Sequence, residues 1–271
     1  MLKNISKNKK IEIAIISAII AAVIIGSIIW VIVDFYLCSH TGTMSIVDKF
    51  VQNFVEKDRY SYILQGLGNT LLITVFALII GLVLGTLIAI VRTVNELHGK
   101  LHFLNAVAKI YLTVVRGTPV MIQLLIIYYV IFAAVDIDKI LIGSVAFGLN
   151  SAAYVAEIIR AGINAVPKGQ FEAGSSLGLP FKLTMILVIL PQAIKNILPA
   201  LCNEGITLMK ETSISGYIGM MDLTKAGDII RSQTYEAFLP LVGVAIIYLA
   251  LVMLLTYLVG RLERRLKSSA V

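Results

Sequence analysis

The chain has 271 residues, of which 58% are hydrophobic and only 14% charged, and it carries a net charge of +7. A soluble domain holds roughly 25% charged residues, so this composition excludes an ordinary soluble globule and places the chain in a bilayer. The Lys and Arg residues are scattered over several loops, which excludes a nucleic-acid patch, and Cys38 and Cys202 have neither metal nor redox spacing.

A helix needs about 20 apolar residues to cross the hydrocarbon core. The first uncharged run, 13–33, follows a basic start. It is too long for a secretory h-region and no small-residue cleavage site follows, so a retained anchor is expected. Residues 38–65 are polar and mixed in charge, and within them 46–60 reads as a short surface helix. The second run, 66–91, contains Gly81 and Gly85, a small-xxx-small pair that permits close helix approach within the chain or between chains. The third, 117–135, opens on Arg116-Gly117-Thr118-Pro119, where the missing amide hydrogen of Pro119 should kink the helix. The fourth, 140–156, leads into Glu157 and places Asn150, Tyr154 and Glu157 at i, i+4 and i+7, on one helical face.

A polar stretch follows, KGQFEAGSSLGLP. Residues 170–177 have helical composition, and Gly178 and Pro180 punctuate the end, so a short helix is expected there. The next segment, 183–209, is apolar but interrupted by Pro191, Lys195, Pro199 and Glu204, and it ends on Lys210-Glu211-Thr212. Residues 213–236 are too polar to cross and read as a lid or re-entrant piece; 237–260 is the last run. None of the runs alternates as barrel strands do. Helices satisfy their own backbone in lipid, so the expected fold is an all-α integral membrane protein with six transmembrane helices. With six spans the termini share a side. That side carries about twice as many Lys and Arg as the other, which places both termini and the 168–180 loop in the cytoplasm.

The sequence holds no GxxxxGK[ST] phosphate loop. His40, His98 and His102 form no HExxH, and no Ser-His-Asp set can be argued for, so an enzyme and a metal site are not expected. Charged groups within spans face a protein interior or a wet cavity. The Asn150, Tyr154, Glu157 stripe is therefore either a hydrogen-bonded packing seam or the lining of a translocation cavity. Lys210 and Glu211 offer one charge of each sign, as an amino acid does, provided that the helix end unwinds; the other reading is a salt bridge at the membrane surface. Arg116 either binds a carboxylate or grips helix ends. Glu204 lines the path or pairs with Arg116 or Lys195.

Glu172-Ala173-Gly174, then Gly178, then nine residues, then Val188-Ile189-Leu190-Pro191 resembles the EAA signature of ABC importer permeases, EAA-x3-G-x9-I-x-LP. It departs from that signature at Gly174 and Val188. The flanking stretches GLGNTLLITVFALIIGLVLG, YLTVVRGTPVMIQLLIIYY and LPQAIKNILPALCNEGITLMKETSISGYIGMMDLTKAG resemble the polar amino-acid uptake branch of that family, over about 62–264. The resemblance implies a five-helix type I permease core at 66–271, with a coupling helix near 168–180. An added N-terminal helix at 1–37 and an extracytoplasmic segment at 38–65 precede the core. It implies a multi-pass subunit of a prokaryotic plasma membrane that passes polar amino acids by alternating access. Gln170, Glu172, Ala173, Gly174 and Gly178 would then meet a cytoplasmic ATPase dimer, with Glu172 pairing to a basic residue. The ATPase would bind ATP and Mg, leaving this chain without a cofactor. An extracytoplasmic amino-acid-binding protein, a second permease chain and membrane lipid complete the expected partners. Asn150, Tyr154, Glu157, Lys210 and Glu211 are the expected substrate contacts, with Arg116 and Glu204 behind them. The rival expectations are an ion-coupled secondary transporter and a non-transporting membrane scaffold.

Overall fold

The computed structural model describes residues 44–268, together with Gly26, Ile29, Ile32 and Val33. Those four residues are helical; the rest of the expected first span lies outside the described residues. The chain divides into two units, Met1–Arg59 and Tyr60–Val271. In the first, helix α1 (Ile46–Phe50) is capped by the Ser45 hydroxyl, which accepts from the Val47 amide. It runs on through a π turn, Val51–Val55, and a 3-10 turn, Glu56–Asp58. The segment expected to form a short helix is therefore helical over 46–58, in three consecutive turn types.

Among the described residues of the second unit four helices are long and apolar enough to cross a membrane, or five if one bent pair counts as a single span. Helix α2 (Tyr60–His98) has 39 residues, roughly 58 Å at 1.5 Å per residue, well beyond the hydrocarbon thickness. Helices α3 (His102–Gly117) and α4 (Val120–Ile126, prolonged by a π turn at Ile127–Ile131) form the bent pair, with 109° between them. Helix α5 is Lys139–Asn164, α6 is Lys168–Ser176, and α7 (Phe181–Thr184) passes through a π turn into α8 (Leu190–Glu211). A 3-10 stretch, Thr212–Ile218, leads to α9 (Leu223–Thr234), and α10 (Phe238–Ser268) follows.

Two expected spans are redrawn. The third does not begin at Gly117. A charged residue stops an apolar count, yet Lys109 and Arg116 are helical residues of α3, and the break falls one residue past Gly117. Thr118 is extended, as the residue before a proline must be. The interrupted span is continuous from Phe181 to Ile218. Its π turn at Met185–Ile189 lies just ahead of Pro191, so the shift of hydrogen-bond register falls where proline removes a donor.

Helix α5 is the axis of this unit. Its buried face carries Gly143, Ala146, Phe147, Asn150, Ser151, Ala153 and Val155. It lies parallel to α2, because the pairings Gly148 with Ile80, Gly81 with Ser151 and Gly85 with Val155 advance together along both helices. A Cβ at Gly85 would stand 2.7 Å from the Val155 Cβ, and one at Gly148 the same distance from the Ile80 Cβ. The Gly81/Gly85 pair is thus spent on packing within the chain.

Helix α9 is pinned to the start of α2, at the end of the unit opposite α6. A Cβ at Gly66 would lie 2.5 Å from the Asp222 carbonyl oxygen. The Leu223 amide donates to Thr70 Oγ1 (3.1 Å), and Asn69 Nδ2 donates to the Met221 carbonyl (2.8 Å). Asp222 is fully enclosed. It accepts from the Lys225 amide as the N-cap (2.6 Å), and from the Ser215 hydroxyl (2.7 Å) and the Gly216 amide (2.8 Å). Burial pushes its carboxyl above the ordinary Asp range, and these donors offset that only in part. A carboxyl whose folded pKa is raised contributes stability at low pH that is lost as pH rises through that value. Asp222→Ala should lower stability by about 2 kcal/mol through the lost cap and the stranded donors. Asp222→Asn should flatten the pH dependence of the melting temperature. Thermal melts across pH, with limited proteolysis of the 213–236 segment, check both.

Candidate functional site

The α3–α4 elbow is held by Gln123 and Thr118, whose hydroxyl donates to the Val114 carbonyl (2.8 Å). Pro119 cannot continue the helix, so the last carbonyls of α3 need other donors. Gln123 Nε2 supplies them, reaching the Val115 carbonyl (2.8 Å), the Thr118 carbonyl (3.1 Å) and Thr118 Oγ1 (2.8 Å). Its Oε1 accepts from Asn150 Nδ2 on α5 (3.1 Å). Asn150 is only 3% exposed, so it joins the elbow to the α5 axis.

One and two turns further along α5, the same stripe opens. Tyr154 and Glu157 line a cavity of about 550 Å³ with Arg92, Lys109, Leu112, Thr113, Arg116 and Gly117. The Arg116 guanidinium stands 5.9 Å from the Tyr154 ring centroid, in cation–π range. Glu157 holds three arginines from three helices: Arg92 of α2 at 2.5 Å, Arg160 one turn on at 2.7 Å, and Arg116 of α3 at 3.8 Å. Glu96 adds a longer contact to Arg92, 3.7 Å. The basic groups here outnumber the carboxylates, so the cavity keeps a positive excess. The expected stripe thus divides: Asn150 is a packing seam, and Tyr154 and Glu157 line open space.

On α8, Glu204 accepts from Ser151 Oγ of α5 at 2.9 Å. Of the readings open for Glu204, pairing with Arg116 is not taken up: Glu204 meets Ser151, and Arg116 stands beside Glu157. Lys210 is exposed and Glu211 half-buried. The helix does not unwind beside them; it tightens into the 3-10 stretch. Neighbours on an intact helix point about 100° apart, so the two charges diverge from one another.

Helix α6 stands between α5 and α7 with two unlike faces. Inward, Phe171 packs against the cluster of Val166, Ile189, Ala193 and Ile197, and stacks with Phe181 at 6.4 Å. Gln170 Oε1 accepts from Gln192 Nε2 at 3.2 Å. Gly174 is buried against Thr184, whose Cγ2 would lie 2.5 Å from an added Cβ. Outward, Glu172, Ala173, Ser175, Ser176 and Leu177 are exposed, Leu177 at 80%. The helix ends in a Schellman motif. The Leu179 amide donates to the Gly174 carbonyl (3.1 Å) and the Gly178 amide to the Ser175 carbonyl (3.0 Å), with Gly178 at φ +73°. Gly178 meets open space, so its requirement is conformational. Gly174 has the opposite requirement, a close approach to Thr184 of its own chain.

Residues 81–268 match the model of the binding-protein-dependent transport system inner membrane component family. The chain belongs to that family. This inner membrane component is 44% identical over 207 residues to a putative glutamine transport system permease protein of Rickettsia bellii, covering 76% of this chain and 93% of that one. It is 44% identical over 210 residues to the arginine transport system permease protein of Bacillus subtilis, covering 77% and 94%. A crystal structure of an amino acid ABC transporter with histidines superposes with a TM-score of 0.71 at 42% identity, over 78% of this chain and 98% of that chain. The methionine ABC transporter MetNI, at 20% identity and a TM-score of 0.65, shares the fold.

Within this permease, the sequence pattern missed Arg92, Lys109, Gln123, Ser151 and Thr184. Arg160 was missed as well, although it lies i+3 from Glu157 on one helix. Arg92 lies 65 residues before its partner Glu157, and only the parallel packing of α2 on α5 brings the two together. Gln123 carried a weak signal, a polar residue four positions past a helix-breaking proline.

Proposed function

We propose that this permease is the membrane-spanning subunit of an ATP-driven importer for polar amino acids. Helix α6 is the carrying observation. It is seated on its own chain by Phe171 and Gly174, is stopped by Gly178, and turns Glu172 and Leu177 outward between two spans. Such an edge suits a groove on a cytoplasmic ATPase dimer, with Glu172 meeting a basic residue. ATP and Mg then belong to the partner. The excess of Lys and Arg supports a cytoplasmic position for α6 and both termini. An amino-acid-binding protein would dock at the α9 end, and a second permease chain would complete the path.

The polar amino-acid class is supported by the glutamine and arginine permeases among the relatives. Substrate would pass Tyr154 and Glu157, then Arg116, with Asn150 bracing the elbow beside the path and Glu204, Lys210 and Glu211 contributing from α8. Alternating access would rearrange these groups across the cavity as α6 is driven. Reconstitution with the ATPase and binding protein tests this. Labelled glutamine or arginine should accumulate only with ATP and all components. Uptake that survives removal of the ATPase and collapses with an ionophore would point to an ion-coupled carrier, and no uptake of any amino acid would leave a scaffold.

A further inference from the structure

Residues 45–58 turn their apolar side outward. Val47, Phe50, Val51, Phe54 and Val55 recur at i, i+3, i+4, i+7 and i+8, the spacing of a single helical face. Val47, Phe50, Val51 and Val55 are 56%, 53%, 40% and 54% exposed, and the Phe50 and Phe54 rings touch at 5.0 Å. Two polar residues are enclosed instead: Asn53 is fully buried and donates to the Lys49 carbonyl (2.7 Å), and Arg59, 5% exposed, donates to the Gln52 carbonyl. Lys57 and Asp58 then adopt left-handed backbone, φ 54° and 52°. Two such non-glycine residues in a row end the helix, so it cannot run on into the span that opens at Tyr60.

We infer that this segment is a membrane-surface helix whose apolar face lies in the headgroup–acyl boundary of the bilayer. Chain continuity names the occupant. Arg59 is bonded to Tyr60, the first residue of a membrane-crossing helix, so the segment is tethered at the bilayer surface, where lipid is the adjoining apolar phase. Charge sets the mode of binding. Asp48, Glu56 and Asp58 balance Lys49, Lys57 and Arg59, so there is no net pull toward anionic lipid. Insertion rests on buried apolar area alone.

The test uses the full chain with Cys38→Ser and Cys202→Ser, in nanodiscs of phosphatidylcholine brominated high on the acyl chain. Bimane is placed on Val47→Cys, Val51→Cys and Val55→Cys, and on Gln52→Cys and Glu56→Cys as polar-face controls. Lipid bromine should quench the first three at least about twofold more than the controls, and replacing part of the lipid with phosphatidylglycerol should not change this. Equal access of aqueous iodide to all five positions would overturn the assignment. So would loss of lipid quenching together with cross-linking of position 51 to another protein chain.

Discussion

Glu157→Ala is expected to reduce ATP-driven uptake by roughly an order of magnitude and to lower stability by about 3 kcal/mol. Three guanidinium groups converge on this one carboxylate from α2, α3 and α5. Each arginine carries a charge that cannot be shed at any working pH. Removing the carboxylate leaves mutual repulsion in a half-buried site, relieved only by the longer contact of Glu96 to Arg92. The loss should exceed that of Arg92→Gln, which still leaves Glu157 two arginines. Their interdependence is open to a double-mutant cycle. In a Glu157→Gln background, Arg92→Gln should cost about 1–3 kcal/mol less than in the parent. Strict additivity, within about 0.5 kcal/mol, would show that the two side chains merely lie near one another.

The second large effect separates the two faces of α6. Glu172→Lys should leave insertion and melting temperature unchanged, because Glu172 is exposed, yet abolish uptake and co-purification of the ATPase. Gly174→Val should fail differently, by unseating α6 from Thr184. Even Gly174→Ala places a Cβ 2.5 Å from Thr184 Cγ2, an overpacking that costs about 1–3 kcal/mol. Thr184→Ala deletes the clashing methyl, so Gly174→Ala/Thr184→Ala should recover much of the uptake that Gly174→Ala loses. Glu172→Lys has no such internal suppressor. Normal uptake by Glu172→Lys, or no rescue of Gly174→Ala, would contradict this division.

The apolar runs at 66–91, 140–156 and 237–260 were legible because bilayer thickness writes itself into chain length. The elbow at Pro119 was legible because proline lacks a donor. The extent of α3 was not: Lys109 looks like a loop residue until a cavity is there to receive it. Continuity through Pro191 was equally hidden, since a π turn leaves no mark in composition. Glu172 and Gly178 could be picked out by spacing, but Gly174 misled. Its small size serves Thr184, a contact that no one-dimensional pattern contains. The candidate site was half visible for the same reason. Tyr154 and Glu157 share one helix, whereas Arg92 and Gln123 reach them across folds of the chain.

Helix α2 has one further property. Near its start, Gly66 and Thr70 clamp the backbone of Asp222 and Leu223. Near its end, Arg92 grips Glu157. Some 22 residues of unbroken helix, roughly 33 Å, separate the two attachments. A stiff strut fastened at both tips cannot tilt at one without displacing the other. Any docking event that shifts α9 is therefore felt at the arginine cluster on the opposite membrane face as geometry alone, with no chain of intermediate side-chain switches to relay it.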